Sequence, residues 1–254
     1  MNSVNIALIV FTVIFGAAVL GLLVKSILPE AHLSPESREV VKLSIGLIAT
    51  MTALVLGLLV GSVKSSFDSK NDGYNKICAN LVLLDRLLAQ YGPEAAAPRG
   101  VLKAAVTARS QEVIERKGVP RVTKADAYKT MVGLEKIQAM IRALQPPNDA
   151  QKDIRDRALG VSSDIVAARW QLLGGVASAV PIPFLVVVII WLAVIFLSFG
   201  IFAPRNATTV TSLCLAAISV AGALFLILEM DQPFDGIIHL SDRPLQNAAQ
   251  YIGQ

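Results

Sequence analysis

Histidine and cysteine are scarce in this 254-residue sequence, with two of each. Cys78 and Cys214 lack a CxxC partner and lie in segments of different character, one polar and one apolar, so neither a disulfide nor a zinc site is expected. His32 and His239 leave few of the usual metal ligands. A P-loop, a dinucleotide fingerprint, an HExxH pair and a nucleophile–base motif are all missing. An enzyme site would have to be assembled from scattered residues, and none is expected. Charge is thin too: Asp, Glu, Lys and Arg make up 17% of the chain, and long stretches contain none.

Those charge-free stretches set the fold class. The longest runs from Trp170 to Pro204 without an acid, a base or a histidine. A bilayer core about 30 Å thick takes roughly 20 apolar residues as helix, so this run can cross once with turns to spare. Met1 to Val24 is uncharged as well, and it has neither the basic start nor the short apolar stretch of a secretory signal. It reads as a first span over 4–28, with Gly16, Ala17, Ala18 and Gly21 forming a small-residue face for close packing. Ser34-Pro35-Glu36-Ser37 has the order of a helix start, with a capping serine, proline in the first turn and an acid beside it. The helix it opens carries a second span at 41–63. Gly46, Thr50, Ala53, Gly57 and Gly61 recur there at spacings of three and four, which puts them on one face. Such a face serves close packing of the small-xxx-small kind, or it lets backbone dipoles and hydroxyls approach a permeation path. Third and fourth spans are expected at 182–203 and 207–228, with a tail over 229–254 amphipathic enough to lie on the protein or the membrane surface.

Between spans two and three, residues 64–170 read as a water-soluble helical domain. Ile77, Leu81, Leu84, Leu88 and Tyr91 form a heptad-like seam that stops at Gly92-Pro93. A second helix is expected from Ala95 to Lys117, stopped by Gly118, and a third from Thr123 to Leu144, with Thr123 and Asp126 as a capping pair. A fourth begins at Asn148 and carries Ile154, Ala158, Val161, Ile165, Ala168 and Leu172 as its seam. The expected fold is therefore all-α: four transmembrane helices with a helical domain inserted after the second.

The same domain holds the basic charge. Residues 64–171 contain 18 of the 23 Lys and Arg and 12 of the 19 Asp and Glu, a net of +6 within a chain of +4. A basic segment between spans suits contact with anionic head groups and retention on the cytoplasmic side, and no nucleic-acid motif accompanies it. The short connections carry Lys25, Arg38, Lys42 and Arg205. The ends facing the other way carry Lys64, Lys70, Lys76, Lys152, Arg155, Arg157, Arg169 and Arg243. Eight against four predicts both termini and the helical domain in the cytoplasm, with the bacterial inner membrane as the location.

Two polar or broken features stand out. Val180-Pro181-Ile182-Pro183-Phe184 interrupts regular backbone hydrogen bonding where the third span enters the membrane. Glu229, Asp231 and Asp235 place three carboxylates within seven positions after span four, the ligand type calcium takes, though without EF-hand spacing. Capping of helices or pairing with Lys and Arg at the membrane surface is their plainer role.

The segments HLSPESREVVKLSIGLIATMTALVLGLLVGSVKSSFD, LLDRLLAQYGPE, FAPRN and LEMDQPFDGIIHLSDRPL resemble a bacterial bestrophin-like family of unknown function, and the likeness covers nearly the whole chain. The resemblance extends, more distantly, to bestrophins, which are pentameric anion channels. It implies a homo-oligomer in a lipid bilayer, a pentamer by likeness, with inorganic anions as the permeant species. Two departures matter. The bestrophin neck carries its proline on the second span, whereas Pro181 and Pro183 stand before the third. The bestrophin calcium clasp continues with acidic residues, whereas Asp235 is followed by Gly236-Ile237-Ile238. The expectation is a channel without a required cofactor, constricted at Ile182 and Phe184 between Pro181 and Pro183. Apolar rings gate by dewetting, and Lys64 and Arg169 would concentrate anions at the mouth. The competing expectation is a membrane-anchored scaffold whose two seams, Ile77–Tyr91 and Ile154–Leu172, bind a partner.

Overall fold

The structure, a computed structural model, describes residues 3–27, 29, 34–115, 124–174, 180–232, 238 and 240–254. The chain order is α1 (Ser3–Val24), α2 (Pro35–Tyr91), a 3-10 turn (Pro93–Ala95), α3 (Ala96–Glu115), α4 (Lys124–Arg142), α5 (Asp149–Gly174), α6 (Ile182–Phe202), α7 (Ala207–Asp231) and α8 (Arg243–Tyr251). No strand occurs among the described residues. Four helices, α1, α2, α6 and α7, are long and apolar enough to cross a membrane. The proposed helix stop at Gly118, the Thr123 cap, His32, His239 and Asp235 lie outside the described residues, as does Gly175.

The chain divides into two compact units, the first made of Met1–Ser66 and Ser178–Asp231. In it α1 packs against α6 and α7. Lipid tails are as apolar as leucine, so burial alone does not drive helices together there, and close van der Waals contact has to. Small residues provide it. A Cβ on Gly21 would stand 2.1 Å from the Leu197 carbonyl oxygen, and one on Gly200 would stand 2.1 Å from the Ala18 carbonyl oxygen. The two backbones therefore touch where Ala18 and Gly21 meet Gly200. Around this crossing Val10, Ile14, Ala18, Val188, Leu192, Ile195, Phe196, Ala217, Ala221 and Leu224 are buried.

The short connections tie the same helices at one end. Lys25 donates from Nζ to the Ala203 carbonyl at 2.8 Å, beyond the last turn of α6. Arg205 donates from Nε to the Leu22 carbonyl at 3.0 Å, and from Nη2 as well, in the last turn of α1. Cations at helix C-termini satisfy orphan carbonyls and oppose the macrodipole, so each helix end is capped by a residue from beyond the other. Arg38 stands over the Phe202 ring at 6.0 Å. Three of the four basic residues counted on this side thus have partners within the protein.

The second unit, Phe67–Ala177 and Gln232–Gln254, has one apolar core. All five positions of the first seam, Ile77, Leu81, Leu84, Leu88 and Tyr91, are buried in it. They meet Leu102 and Val106 of α3, Leu134, Ile137 and Ile141 of α4, and Ala158 and Ile165 of α5. Ile154, Val161, Ala168 and Leu172 of the second seam pack at its edge. At Gly92, with φ of 121°, the backbone enters a region that only glycine occupies without strain, and α2 ends. Gln151 donates from Nε2 to the freed Tyr91 carbonyl at 2.7 Å.

The C-terminal segment belongs to this core. Leu245 and Ala248 of α8 and the following Ile252 are buried in it. Beyond them, Asp85 is fully buried and accepts from Arg99 Nε at 2.8 Å, from Arg99 Nη2 at 3.2 Å and from the Gly253 backbone N–H at 3.1 Å. The Gln254 carbonyl oxygen accepts from Arg99 Nη2 at 3.0 Å and from Arg86 Nη1 at 3.3 Å. Gly253 has φ of 85°, and a Cβ there would run into the Lys103 side chain at 2.6 Å.

Cys78 is 3% exposed in the same core. Burial pushes its thiol up to about 11, and the Tyr74 hydroxyl only partly offsets this. Alkylation by iodoacetamide at mildly alkaline pH should leave Cys78 untouched in folded protein and modify it after denaturation, as read by mass spectrometry; comparable rates in both states would contradict the burial. The sign of the linkage follows from the raised value. The contribution of the neutral thiol to stability is complete below its ordinary 9.0 and is lost as pH climbs to about 11.

Candidate functional site

The proline step stands at the boundary of α6 and does not kink a continuous helix. Pro181, extended at φ −64° and ψ 126°, is the N-cap, and Ile182 is the first helical residue. The Pro181 carbonyl accepts from the Phe184 N–H at 3.0 Å, so the first turn closes normally. Pro183 sits in that first turn, where a missing N–H costs nothing because no intrahelical acceptor exists for it. Prolines here fix the entry angle of the span. Val180 is buried, whereas Ile182 is 74% exposed and Phe184 54% exposed. Two residues apart in a helix means about 200° of rotation, so Ile182 and Phe184 point to opposite sides. A single axis therefore sees one of them.

Span α2 presents three stripes. Ile45, Thr52, Leu59 and Val63 are buried. About 100° round the helix, Gly46, Thr50, Ala53, Gly57 and Gly61 are all exposed, and a Cβ on any of the three glycines would meet nothing within 4 Å. Beyond them Leu47, Leu54 and Leu58 stand out at more than 60% exposure. The small face is thus bare within the protomer, in contrast to the one on α1. Its hydroxyl is not a spare donor either: Thr50 donates to the Gly46 carbonyl at 2.8 Å. An anion along this face would meet small apolar surface and no free donor.

The two basic residues expected at the mouth are placed differently. Lys64 is exposed on α2 in the first unit. Arg169 is on α5 in the second, half-buried, with a buried Nε that has no hydrogen-bond partner among the described residues. Of the three carboxylates after span four, Glu229 and Asp231 are among the described residues. Glu229 is buried at 4% exposure, and Asp231 is two residues on, about 200° round α7. Calcium takes six to eight oxygens in one shell, and no group of three potential metal ligands occurs among the described residues. Asp235, the third carboxylate of that set, lies outside the described residues.

Sequence reasoning missed two residues that the structure makes central. Gly200 is the lone glycine in an α6 of large apolar residues, a signal for close approach that was there to be read. Asp85 is a charge inside a leucine seam, LLDRLL, and an acid in that position demands a buried partner.

A bestrophin-like domain matches residues 12–245. This chain belongs to the bestrophin-like family. A crystal structure of a bacterial bestrophin homolog from Klebsiella pneumoniae, a single-site variant, aligns with 95% of this chain and 99% of its own at a TM-score of 0.63 and 15% identity. At that identity the likeness is one of fold. No curated protein matches the sequence. Within the bestrophin-like fold, the proline step of this chain opens the third spanning helix, while α2 has no proline between Glu36 and Tyr91.

Proposed function

We propose that this bestrophin-like protein is a homo-oligomeric, anion-conducting channel with a hydrophobic constriction at the proline step before α6, and that it works without catalysis. The match of the bestrophin-like domain to residues 12–245 supports the reading, together with the fold of a bestrophin homolog, because bestrophins are anion channels. The bare small-residue face of α2 supports assembly, since such a face lets helices of neighbouring copies approach closely. A pentamer in the bacterial inner membrane, with both termini and the helical unit in the cytoplasm, completes the proposal on the charge pattern and the resemblance. Lys64 raises the local anion concentration near the membrane surface.

The alternative of a partner-binding scaffold keeps only its second seam, whose Ile154, Val161, Ala168 and Leu172 are partly buried. Ile77, Leu81, Leu84, Leu88 and Tyr91 are already covered by the chain itself.

Purified protein in liposomes is expected to pass chloride. Of Ile182→Ala and Phe184→Ala, the variant that widens the constriction should raise flux several-fold, while the other leaves it near wild type because its side chain points away. Absence of any anion flux, or two variants indistinguishable from wild type, would end the constriction reading. Mass in detergent checks assembly: a single ring of identical copies is expected, and a monomer could not enclose a path.

A further inference from the structure

The second unit holds an open cavity of about 460 Å³ between the end of α2, the 3-10 turn, the start of α3 and the C-terminal segment. Its walls are largely apolar, with Leu88 and Ala89 from α2, Pro93 from the turn and Ala96 from α3. Gly92, Gly100 and Gly253 complete the lining without adding side chains. Gly92 and Gly253 are held to glycine by their positive φ, but Gly100 is helical, and a Cβ there would meet nothing within 4 Å. Glycine inside a helix lowers stability relative to alanine, so packing within the protomer gives no reason for it, and the missing side chain leaves the cavity free. Two cations face the space, Arg99 and Lys103, and no acid lines it. Glu94 turns its Oε2 toward Gly92 but stays outside the lining. Arg99 is already engaged, with Nε and Nη2 on Asp85 and Nη2 also on the Gln254 carbonyl. Lys103 is exposed and has no hydrogen bond or ion pair among the described residues. Its Nζ lies against Gly253, 2.7 Å from where a Cβ would stand. A cavity of this size takes a small molecule, oriented by few polar groups on apolar walls. With the Arg99 fork occupied, a phosphate would find no bidentate partner, and Lys103 offers a single point charge. One free positive charge beside apolar walls matches one negative charge on an apolar body.

We propose that this cavity binds a small amphipathic monocarboxylate, with its apolar body against Leu88, Ala89, Pro93 and Ala96 and its carboxylate on the Lys103 ammonium. Gly253 belongs to the lining, so occupancy also braces the C-terminal segment. The site lies wholly within the second unit and is read by binding, so its failure would leave the channel proposal untouched.

The test uses the full chain in detergent, with its melting temperature followed against sodium benzoate, benzamide, sodium acetate or inorganic phosphate at matched ionic strength. Benzoate is expected to give a saturable rise. Benzamide lacks the charge, acetate lacks the apolar body and phosphate lacks both the body and a fork to receive it, so none of the three should reproduce that rise. Lys103→Gln should shift the benzoate midpoint several-fold upward, and Lys103→Arg, which keeps the charge, should bring it back close to wild type. Lys103 is exposed, so neither change threatens the fold. Gly100→Leu fills the cavity from a position where a side chain meets open space, and it should abolish the rise in a protein that still melts cooperatively. No saturable rise with benzoate, an equal rise with any of the other three compounds, or an unchanged midpoint in Lys103→Gln or Gly100→Leu would overturn the site.

Discussion

Gly200→Ala is expected to disrupt the first unit as strongly as any single added methyl group. The added Cβ would stand 2.1 Å from the Ala18 carbonyl oxygen, 2.9 Å from the Leu22 nitrogen and 3.0 Å from the Ala18 carbonyl carbon, all of them backbone atoms that no side-chain rotation can move. Helices α1 and α6 must separate, and every contact along their crossing loosens with them. Overpacking of a tight core costs about 1–3 kcal/mol, and backbone-to-backbone contact in an apolar solvent places this variant at about 3 kcal/mol or beyond. The measurement is the melting temperature and the yield of folded protein in detergent. Gly21→Ala should behave alike, because it meets the Leu197 carbonyl oxygen at the same 2.1 Å. Gly57→Ala is the control. Nothing lies within 4 Å of its Cβ, and in a helix interior alanine is favoured over glycine by about 1 kcal/mol. Its protomer should be as stable as wild type or more so. A loss of ring mass without a loss of protomer stability would place that face against a second copy. Equal tolerance of alanine at Gly200 and at Gly57 would refute the crossing.

The second large effect concerns the C-terminal segment. Asp85→Ala is expected to release it and to cost the second unit about 3 kcal/mol, the lower end for breaking a buried pair, since the Arg99 side chain is 27% exposed and finds water. Asp85 has no exposed surface and three donors, so removing it orphans the Gly253 N–H and leaves Arg99 held only by the Gln254 carbonyl. Ile252, one residue away, then loses its anchor in the core. Hydrogen exchange should show the amides of α8 and Gly253 losing protection while those of α6 and α7 keep theirs. Arg99→Ala should cost at least as much stability, because it leaves a fully buried carboxylate with the Gly253 N–H as its one remaining donor. Unchanged protection of α8 in Asp85→Ala would show that Leu245, Ala248 and Ile252 hold the segment alone.

The contrast between these two sites marks what could be read in advance. Lack of charge fixed the spans: a stretch such as Trp170–Pro204 has no stable place in water, and its length alone matches it to a bilayer. The seams on α2 and α5 were legible because helical periodicity places residues three and four apart on one face, whatever covers that face. Pro181 and Pro183 announced a boundary for the reason that proline lacks an N–H, and α6 starts there. Tertiary structure decided the rest, since periodicity says which residues share a face and is silent about what the face meets. The small residues of α1 and of α2 look alike as strings. One face closes on Gly200, and the other stays bare in the protomer. The tail, expected to lie on the protein or the membrane surface, lies on the protein and completes a core through Leu245, Ala248 and Ile252. Arg169, expected at a mouth, carries a buried guanidinium nitrogen in the second unit. In each of these cases the deciding partner lies far along the chain, beyond the reach of any local pattern. Composition by itself settled that this chain belongs in a membrane; only packing across distant segments decided which of its glycines, acids and arginines have partners.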